Sequence, residues 1–167
     1  EFGADAMKFT LAYLAAQGQD ILMDKEGFKL GSKFANKIWN ASRYILMNLP
    51  DADLPDFGKL KLKEMDQWIL HRFDQTVEAV DKAMAEYRFN DAAHAVYDYF
   101  WYDYCDWYIE ATKLDLYSGD ESQKLAAASK LVYTLQENLK LMHPFLPFIT
   151  EEISLQLPGH PESLVVT

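Results

Sequence analysis

Apolar residues recur at steps of three and four positions along most of this 167-residue chain. The pattern is clearest between residues 63 and 87, where it is formed by Met65, Trp68, Ile69, Phe73, Thr76, Val77, Val80, Ala83, Met84 and Tyr87. This spacing places apolar side chains on one face of an α-helix, and that face is buried against other helices. Runs of alternating residues long enough for a sheet are missing, apart from the short tail SLVVT. The sequence therefore predicts an all-α fold, a helical bundle.

Residues that start and stop helices predict the other helix boundaries. We expect further helices at 3–16, at 31–49, from Asn90 to about Leu114, from Ser122 to Met142 and at 150–157. Ser32, Asn90 and Ser122 are types that cap helix N-termini, whereas Pro50 and Pro144 stop the helices before them. Residues 19–28 are predicted to connect the first two helices, with a turn or short extended piece at 20–23, and residues 50–59 form a surface loop.

Composition limits the class of protein. Half of the residues are hydrophobic, which is enough for one core and fits a single domain. Cys105 is the only cysteine, so an internal disulfide is excluded, and neither a secretory leader nor an apolar run of about 20 residues is seen. We therefore expect a soluble, cytoplasmic protein. The net charge of -10 argues against sequence-independent binding to nucleic acid, although it leaves room for a local site.

Motifs for catalysis are missing from the sequence. It contains no Gly-rich phosphate loop, no Gly-x-Ser-x-Gly turn and no His-Glu-x-x-His zinc helix. Asp91 and His94 have the i, i+3 spacing used by di-metal bundles, but a second pair is missing, so we interpret them as a surface acid and a capping-turn histidine. Cys105 lies among aromatic residues near Asp103 and Asp106, and acidic neighbours raise a thiol pKa, which favours a structural role. We expect no catalytic residue and no metal site here.

Charge is segregated between two predicted helices. Between Lys25 and Leu49 the chain carries five cations and one acid, whereas between Glu86 and Glu110 it carries one cation and six acids. A cationic patch on an acidic protein can hold an anion at one place and repel it elsewhere. The second predicted helix is therefore the candidate binding element.

Helical geometry divides that second helix into two faces. The core face is predicted to contain Phe34, Ile38, Ile45 and Leu49, with Trp39, Ser42 and Leu46 beside it. The opposite stripe is predicted to contain Lys33, Asn36, Lys37, Asn40, Arg43, Tyr44 and Met47. Cations suit phosphates, amides suit base edges and an aromatic ring can stack on a base, so the stripe suits single-stranded RNA. A solvated helix face with no ligand is the alternative interpretation.

The next long helix is rich in aromatic residues. Its large rings are Tyr97, Phe100, Trp101, Tyr104, Trp107 and Tyr108. They could serve as base-stacking platforms, but their helical spacing and acidic neighbours favour packing in the core.

Several motifs, in order, cover nearly the whole chain. FANKIWNASRYILMN at 34–48, RFNDAAHAVYDYFWYDYCDWYIEATK at 88–113 and HPFLPFITEEI at 143–153 resemble the C-terminal helical domain of class Ia aminoacyl-tRNA synthetases. GADAMKFTLA at 3–12 is similar to the helix that follows the catalytic domain in that family. AAQGQDI, NKIWNASRY and YCDWYIE are most similar to the valyl branch, while the isoleucyl and leucyl branches share the framework.

The resemblance implies an anticodon-binding domain that partners valine tRNA through its anticodon stem-loop. The parent enzyme would activate valine with ATP and ligate it to that tRNA, using segments that this chain lacks, so no cofactor is expected here. Residues 1–23 would be the connector helix from an upstream catalytic domain, residues 158–167 a truncated tail, and a coiled coil would follow. A monomer without membrane contact is expected. The alternatives are a relative of the isoleucyl or leucyl type and a helical protein-interaction bundle without an RNA role.

The resemblance also assigns roles to individual residues. In the related methionyl enzymes an Asn and an Arg one helical turn apart read anticodon bases. Asn40 is similar to that Asn by placement, Tyr44 takes the place of the Arg, and Arg43 is displaced by one residue. An aromatic residue beyond the long helix implies secondary roles for Lys113 and Tyr117. A third secondary candidate is Lys8, which replaces an Arg expected near the inner corner of the tRNA.

Overall fold

The computed structural model of the chain describes residues 3–15 and 27–166, and that part is a bundle of helices without strands. The α-helices are α1 Ala4–Leu14, α2 Gly27–Met47, α3 Glu64–Ala85, α4 Phe89–Asp98, α5 Glu110–Leu116, α6 Glu121–Met142 and α7 Pro147–Ser154, with a π-helical segment, Tyr99–Ile109, between α4 and α5. Short 3-10 turns lie at Phe57–Lys59 and Leu164–Val166. The predicted all-α fold is confirmed. Residues 16–26, with the turn predicted at 20–23, lie outside the described ranges.

The prediction that α2 starts at Gly31 with Ser32 as its cap is wrong, because the helix already includes Gly27. Gly31 is buried against α1, where a Cβ atom would overlap the carbonyl oxygen of Ala6 and lie 2.6 Å from Thr10 Oγ1. Its amide donates to Thr10 Oγ1 at 3.2 Å. The glycine therefore allows two helices to approach closely and does not mark a helix start.

The predicted core face of α2 is largely confirmed. Phe34, Ile38, Ser42 and Ile45 are buried, and Leu46 and Leu49 are half-buried. Trp39 is the exception, because 40% of it is exposed at the edge of α2.

One continuous helical stretch runs from Phe89 to Leu116. Asn90 was predicted as its cap, but the helix begins one residue earlier and Arg88 occupies the cap position. The middle of the stretch is π-helical. The spacing of apolar residues in the sequence did not predict this widened turn. Trp107 was predicted in the core, yet 65% of it is exposed.

The other aromatic residues predicted in the core of this stretch are buried or half-buried. Phe100, Tyr104 and Tyr108 are fully buried, and Tyr97 and Trp101 are partly buried against the core. The Tyr104 hydroxyl lies 3.2 Å from Thr134 Oγ1, and the Tyr108 hydroxyl donates to Asp66 at 2.9 Å. Burial of these phenols is tolerable because each hydroxyl has a partner.

The last two α-helices begin at residues other than those predicted. Asp120, not Ser122, caps α6, because its carboxylate accepts the amides of Ser122 and Gln123. The final helix begins at Pro147 and ends at Ser154, not at 150–157. Proline is favourable in the first turn of a helix, because the backbone N–H groups of that turn have no partner within the helix.

Asp5 joins the two ends of the described chain. Its carboxylate accepts the backbone amides of Phe148 at 3.3 Å and Ile149 at 2.7 Å. An acid from α1 therefore satisfies the N-terminus of α7, where a negative charge is favoured.

Neither α1 nor any other helix in the described ranges is long and apolar enough to cross a membrane.

Candidate nucleic-acid interface

A groove of about 220 Å³ lies between α2 and the stretch formed by the π segment and α5. Its lining residues are Lys37, Asn40, Ala41, Tyr44, Cys105, Ile109, Glu110 and Lys113. We call this the α2 groove. Three of the six primary candidates, Lys37, Asn40 and Tyr44, line it because they are spaced at three and four residues along α2. The secondary candidate Lys113 completes the opposite wall.

Tyr44 is held by contacts from the far wall. Its hydroxyl lies 3.0 Å from that of Tyr117, and Lys113 Nζ lies 5.3 Å from the centre of its ring. Burial, the hydrogen bond to Tyr117 and the nearby Glu110 carboxylate together raise the pKa of Tyr44 above its ordinary value. The phenol therefore stays neutral at physiological pH, and its ring is already placed beside a cation.

Lys37 does not point freely to solvent, contrary to the expectation for the stripe. Its Nζ donates to Asp106 Oδ1 at 2.8 Å and lies 5.0 Å from the centre of the Trp101 ring. On the other wall, Lys113 Nζ donates to Glu110 Oε1 at 2.6 Å. Both groove cations are therefore paired with carboxylates of this same chain.

Asn40 is exposed and lies one turn from both Lys37 and Tyr44 along α2. Its position in the groove lining brings an amide, with two donors and one acceptor oxygen, between a cation and an aromatic ring. This arrangement can offer a nucleotide a base-edge contact, a stacking surface and a phosphate partner together.

Arg43 lies at a different place. It lines a small slot of about 30 Å³ between α2 and α7, together with Trp39, Ser42, Leu46, Ile153 and Gln156. The hydroxyl of Ser42 is buried there and has no hydrogen-bond partner among the described residues. Of the two candidates beside Asn40, Tyr44 shares its groove and Arg43 does not.

The remaining candidates lie outside the α2 groove. Lys33 and Asn36 are exposed on the N-terminal half of α2, so they could extend the same face toward α1. Lys8 is exposed on α1, and its Nζ lies 5.3 Å from the centre of the Phe148 ring on α7. The structure thus does not bring Lys8 to the groove lining.

The residues considered for metal binding or nucleophilic chemistry have other partners. Asp91 pairs with Arg88, while His94 stacks on Tyr13 with ring centres 3.7 Å apart. No cluster of three or more potential metal ligands occurs among residues 3–15 and 27–166. Burial raises the pKa of Cys105 to about 12, although nearby Lys37 lowers it and Asp106 raises it further.

Sequence reasoning missed Asp106, Glu110, Ile109 and Trp101 as neighbours of the candidate residues. The segregation of acids to the 86–110 segment was visible, and it indicated an acidic element. It could not show that Asp106 would pair with Lys37 of α2 or that Glu110 would line the same groove, because that depends on how the two helices pack.

The comparisons with known proteins decide the family. Residues 66–167, more than half of the chain, match the family described as the anticodon-binding domain of tRNA ligase. This chain belongs to that family. The match begins within α3, so it includes Glu110, Lys113 and Tyr117. It does not cover α2, which precedes it.

Curated relatives of this anticodon-binding domain extend over α2 as well. The chain is 55% identical to the valine–tRNA ligase of Treponema pallidum over 91% of its length, and 53% identical to that of Treponema denticola over 96%. It is 48% identical to the valine–tRNA ligase of Fervidobacterium nodosum over 99%. The chain spans only 16% to 19% of the length of these three relatives.

Solved structures agree with the fold of the domain. Methionyl-tRNA synthetase of Mycobacterium tuberculosis matches 98% of this chain with a TM-score of 0.76 at 18% identity, and the chain covers 35% of that protein. A ternary complex of Agrobacterium radiobacter LeuRS matches 98% with a TM-score of 0.66 at 20% identity, and the chain covers 19% of it. At these identities the likeness establishes the helical architecture only.

Proposed function

We propose that this anticodon-binding domain recognises the anticodon stem-loop of valine tRNA through the α2 groove. The observation that supports this most is the placement of Asn40 and Tyr44 on one wall with Lys113 opposite. A flexible single-stranded loop can turn its bases outward, so amides and rings on a shallow surface can reach them.

Each groove residue has a chemical role in the proposal. Asn40 hydrogen-bonds a base edge through its amide, and Tyr44 stacks on a base while its neutral hydroxyl remains bonded to Tyr117. Lys37 and Lys113 meet phosphates, with Lys33 contributing farther along α2. Asn36 and Arg43 are assigned to flanking contacts, since they lie outside the groove lining.

The valine assignment depends on the relatives. Three of them, at 48% to 55% identity, are named valine–tRNA ligase. The proposal extends to the parent protein, which would activate valine with ATP and ligate it to valine tRNA, through a catalytic domain upstream and with a coiled coil downstream. A cytoplasmic location and a monomeric state remain parts of this proposal.

The test measures binding of two RNA hairpins to this chain by fluorescence anisotropy. The first is the anticodon stem-loop of valine tRNA, and the second, the matched hairpin, has the same stem but replaced anticodon bases. The valine hairpin is expected to bind more tightly, and its affinity should fall as salt rises. Equal affinity for both hairpins would contradict the proposal and favour a helical bundle without anticodon recognition.

Single substitutions then test the roles proposed for individual residues. Asn40→Ala should reduce the preference for the valine hairpin, because a base-edge contact contributes about 1–3 kcal/mol of discrimination. Lys33→Ala should weaken binding to both hairpins by a similar factor. The matched control is Asn90→Ala, which removes an amide on α4 outside the groove lining and should change neither affinity.

A further inference from the structure

The two cations that line the α2 groove, Lys37 and Lys113, are already paired with acids from the same chain. Lys37 pairs with Asp106 across two helices at 2.8 Å, and Lys113 pairs with Glu110 within one helix at 2.6 Å. A phosphate can therefore reach either ammonium group only if it displaces, or shares the ammonium with, a resident carboxylate.

We propose that Asp106 and Glu110 restrain sequence-independent RNA binding by competing with RNA phosphates for Lys37 and Lys113. They lower the affinity of every RNA by a similar factor, so that stable binding requires base contacts in the groove as well. This inference rests on the proposed function, since it concerns the same surface and the same RNA.

The exposure of the two pairs makes such competition physically possible. The side chains of Asp106 and Glu110 are 45% and 58% exposed, so their pairs are screened by water and are weak enough to exchange. The contrast is Lys130–Asp66 at 2.6 Å, whose side chains are 5% and 9% exposed. A pair buried to that degree could not be opened by an incoming phosphate.

Sequence-independent RNA binding depends on phosphate neutralisation and the release of counterions. Resident carboxylates reduce that contribution, because they occupy the cations and repel the incoming phosphates. Base contacts are unaffected by this competition. The carboxylates thereby raise the share of total binding that depends on the anticodon sequence.

The experiment uses Asp106→Asn and Glu110→Gln in this chain, with the valine and matched hairpins as probes. Each variant is expected to bind both hairpins about two- to fivefold more tightly, the range of an exposed ion pair. The slope of log affinity against log salt should become steeper by roughly 0.7, as expected for one additional phosphate contact on a single strand.

A double-mutant cycle separates release of the lysine from a general change in charge. In a Lys37→Gln background, Asp106→Asn should no longer increase affinity, because no ammonium group remains to be released. The matched controls are Asp103→Asn, which breaks the Arg72 pair outside the groove lining, and Glu137→Gln, which breaks the i, i+3 pair with Lys140. Neither control should change hairpin affinity.

The inference is overturned if Asp106→Asn and Glu110→Gln leave matched-hairpin affinity unchanged, or if the Asp106→Asn gain persists without Lys37. It is also overturned if the two controls give equal gains. The proposed function fails by a different result, namely equal binding of the two hairpins to the unsubstituted chain. Circular dichroism of each variant verifies that the helical fold is retained.

Discussion

The hydroxyl oxygens of Tyr44 and Tyr117 lie 3.0 Å apart, although 73 residues separate them in the sequence. The contact joins α2 to the residue that follows α5. It fixes the Tyr44 ring at the end of the α2 groove, with Lys113 5.3 Å from the ring centre. A base that stacks on Tyr44 would therefore meet a ring whose rotamer is already selected, which reduces the entropy lost on binding.

Substitutions at Tyr44 should separate stacking from hydrogen bonding. Tyr44→Ala is expected to weaken valine-hairpin binding by about 1–3 kcal/mol, the contribution of one base–aromatic stack. Tyr44→Phe keeps the ring and loses only the bond to Tyr117, so its effect should be smaller, about 1 kcal/mol or less. Fluorescence anisotropy with both hairpins measures these differences.

The control for this comparison is Tyr102→Ala, which removes a tyrosine that is 52% exposed and lies outside the groove lining. It should leave hairpin affinity unchanged. If Tyr44→Ala and Tyr102→Ala had equal effects, Tyr44 would not be a stacking residue.

The sequence predicted the helices that are determined by a residue pattern within their own segment. Helix α3 was expected at 63–87 and is observed at Glu64–Ala85, because one apolar stripe determines both its existence and its length. Gly31 was misinterpreted as a helix start, since its true constraint is the carbonyl oxygen of Ala6 in another helix. A pattern along one segment contains no information about such a neighbour.

The candidate site, too, could be predicted from the sequence only in part. The stripe on α2 followed from helical geometry, and the structure places Lys37, Asn40 and Tyr44 along one groove. Arg43 could not be assigned, because a displacement of one residue rotates a side chain by about 100° around the helix axis. Only the packing of α7 against α2 shows that Arg43 lines another surface.

Gly31→Ala should destabilise the domain strongly. The new methyl group would overlap the backbone of α1, which cannot move without disturbing the core, so we expect a loss of about 3 kcal/mol or more in the free energy of unfolding. Gly119→Ala is the matched control, because a Cβ atom there meets nothing within 4 Å. Urea unfolding measures both, and equal stabilities would show that α1 and α2 are not closely packed at Gly31.

The buried pair between Lys130 and Asp66 should be important for folding. Asp66 also accepts the Tyr108 hydroxyl at 2.9 Å and the Lys63 amide at 2.7 Å. Lys130→Met leaves that carboxylate buried without its cation, so the free energy of unfolding should fall by about 3 kcal/mol. Urea unfolding tests this.

Lys124→Met serves as the control for Lys130→Met. Lys124 lies on the same helix, and its pair with Glu121 at 3.7 Å is exposed. Its loss should change stability by less than about 1 kcal/mol. Similar costs for the two variants would mean that Asp66 does not need Lys130.

Alkaline pH should unfold the domain because several buried acids are held neutral. Burial is the main cause that raises the pKa of Tyr99, Tyr104 and Tyr108 above the ordinary value of 10.0, and it raises that of Cys105 from 9.0 to about 12. A group whose pKa is higher in the folded state contributes its full stability below the unfolded pKa. That stability is lost as pH rises from about 9 toward the folded values.

The free energy of unfolding should therefore be insensitive to these groups at neutral pH and should fall steadily above pH 9. Tyrosinate absorbance from the buried phenols should appear together with loss of the helical circular dichroism signal. Tyr104→Phe should make the fall shallower, since it removes one titrating group while Thr134 keeps its bond to the Lys130 carbonyl. Ionisation of all ten tyrosines near their ordinary pKa with the helices intact would show that these phenols are accessible to solvent.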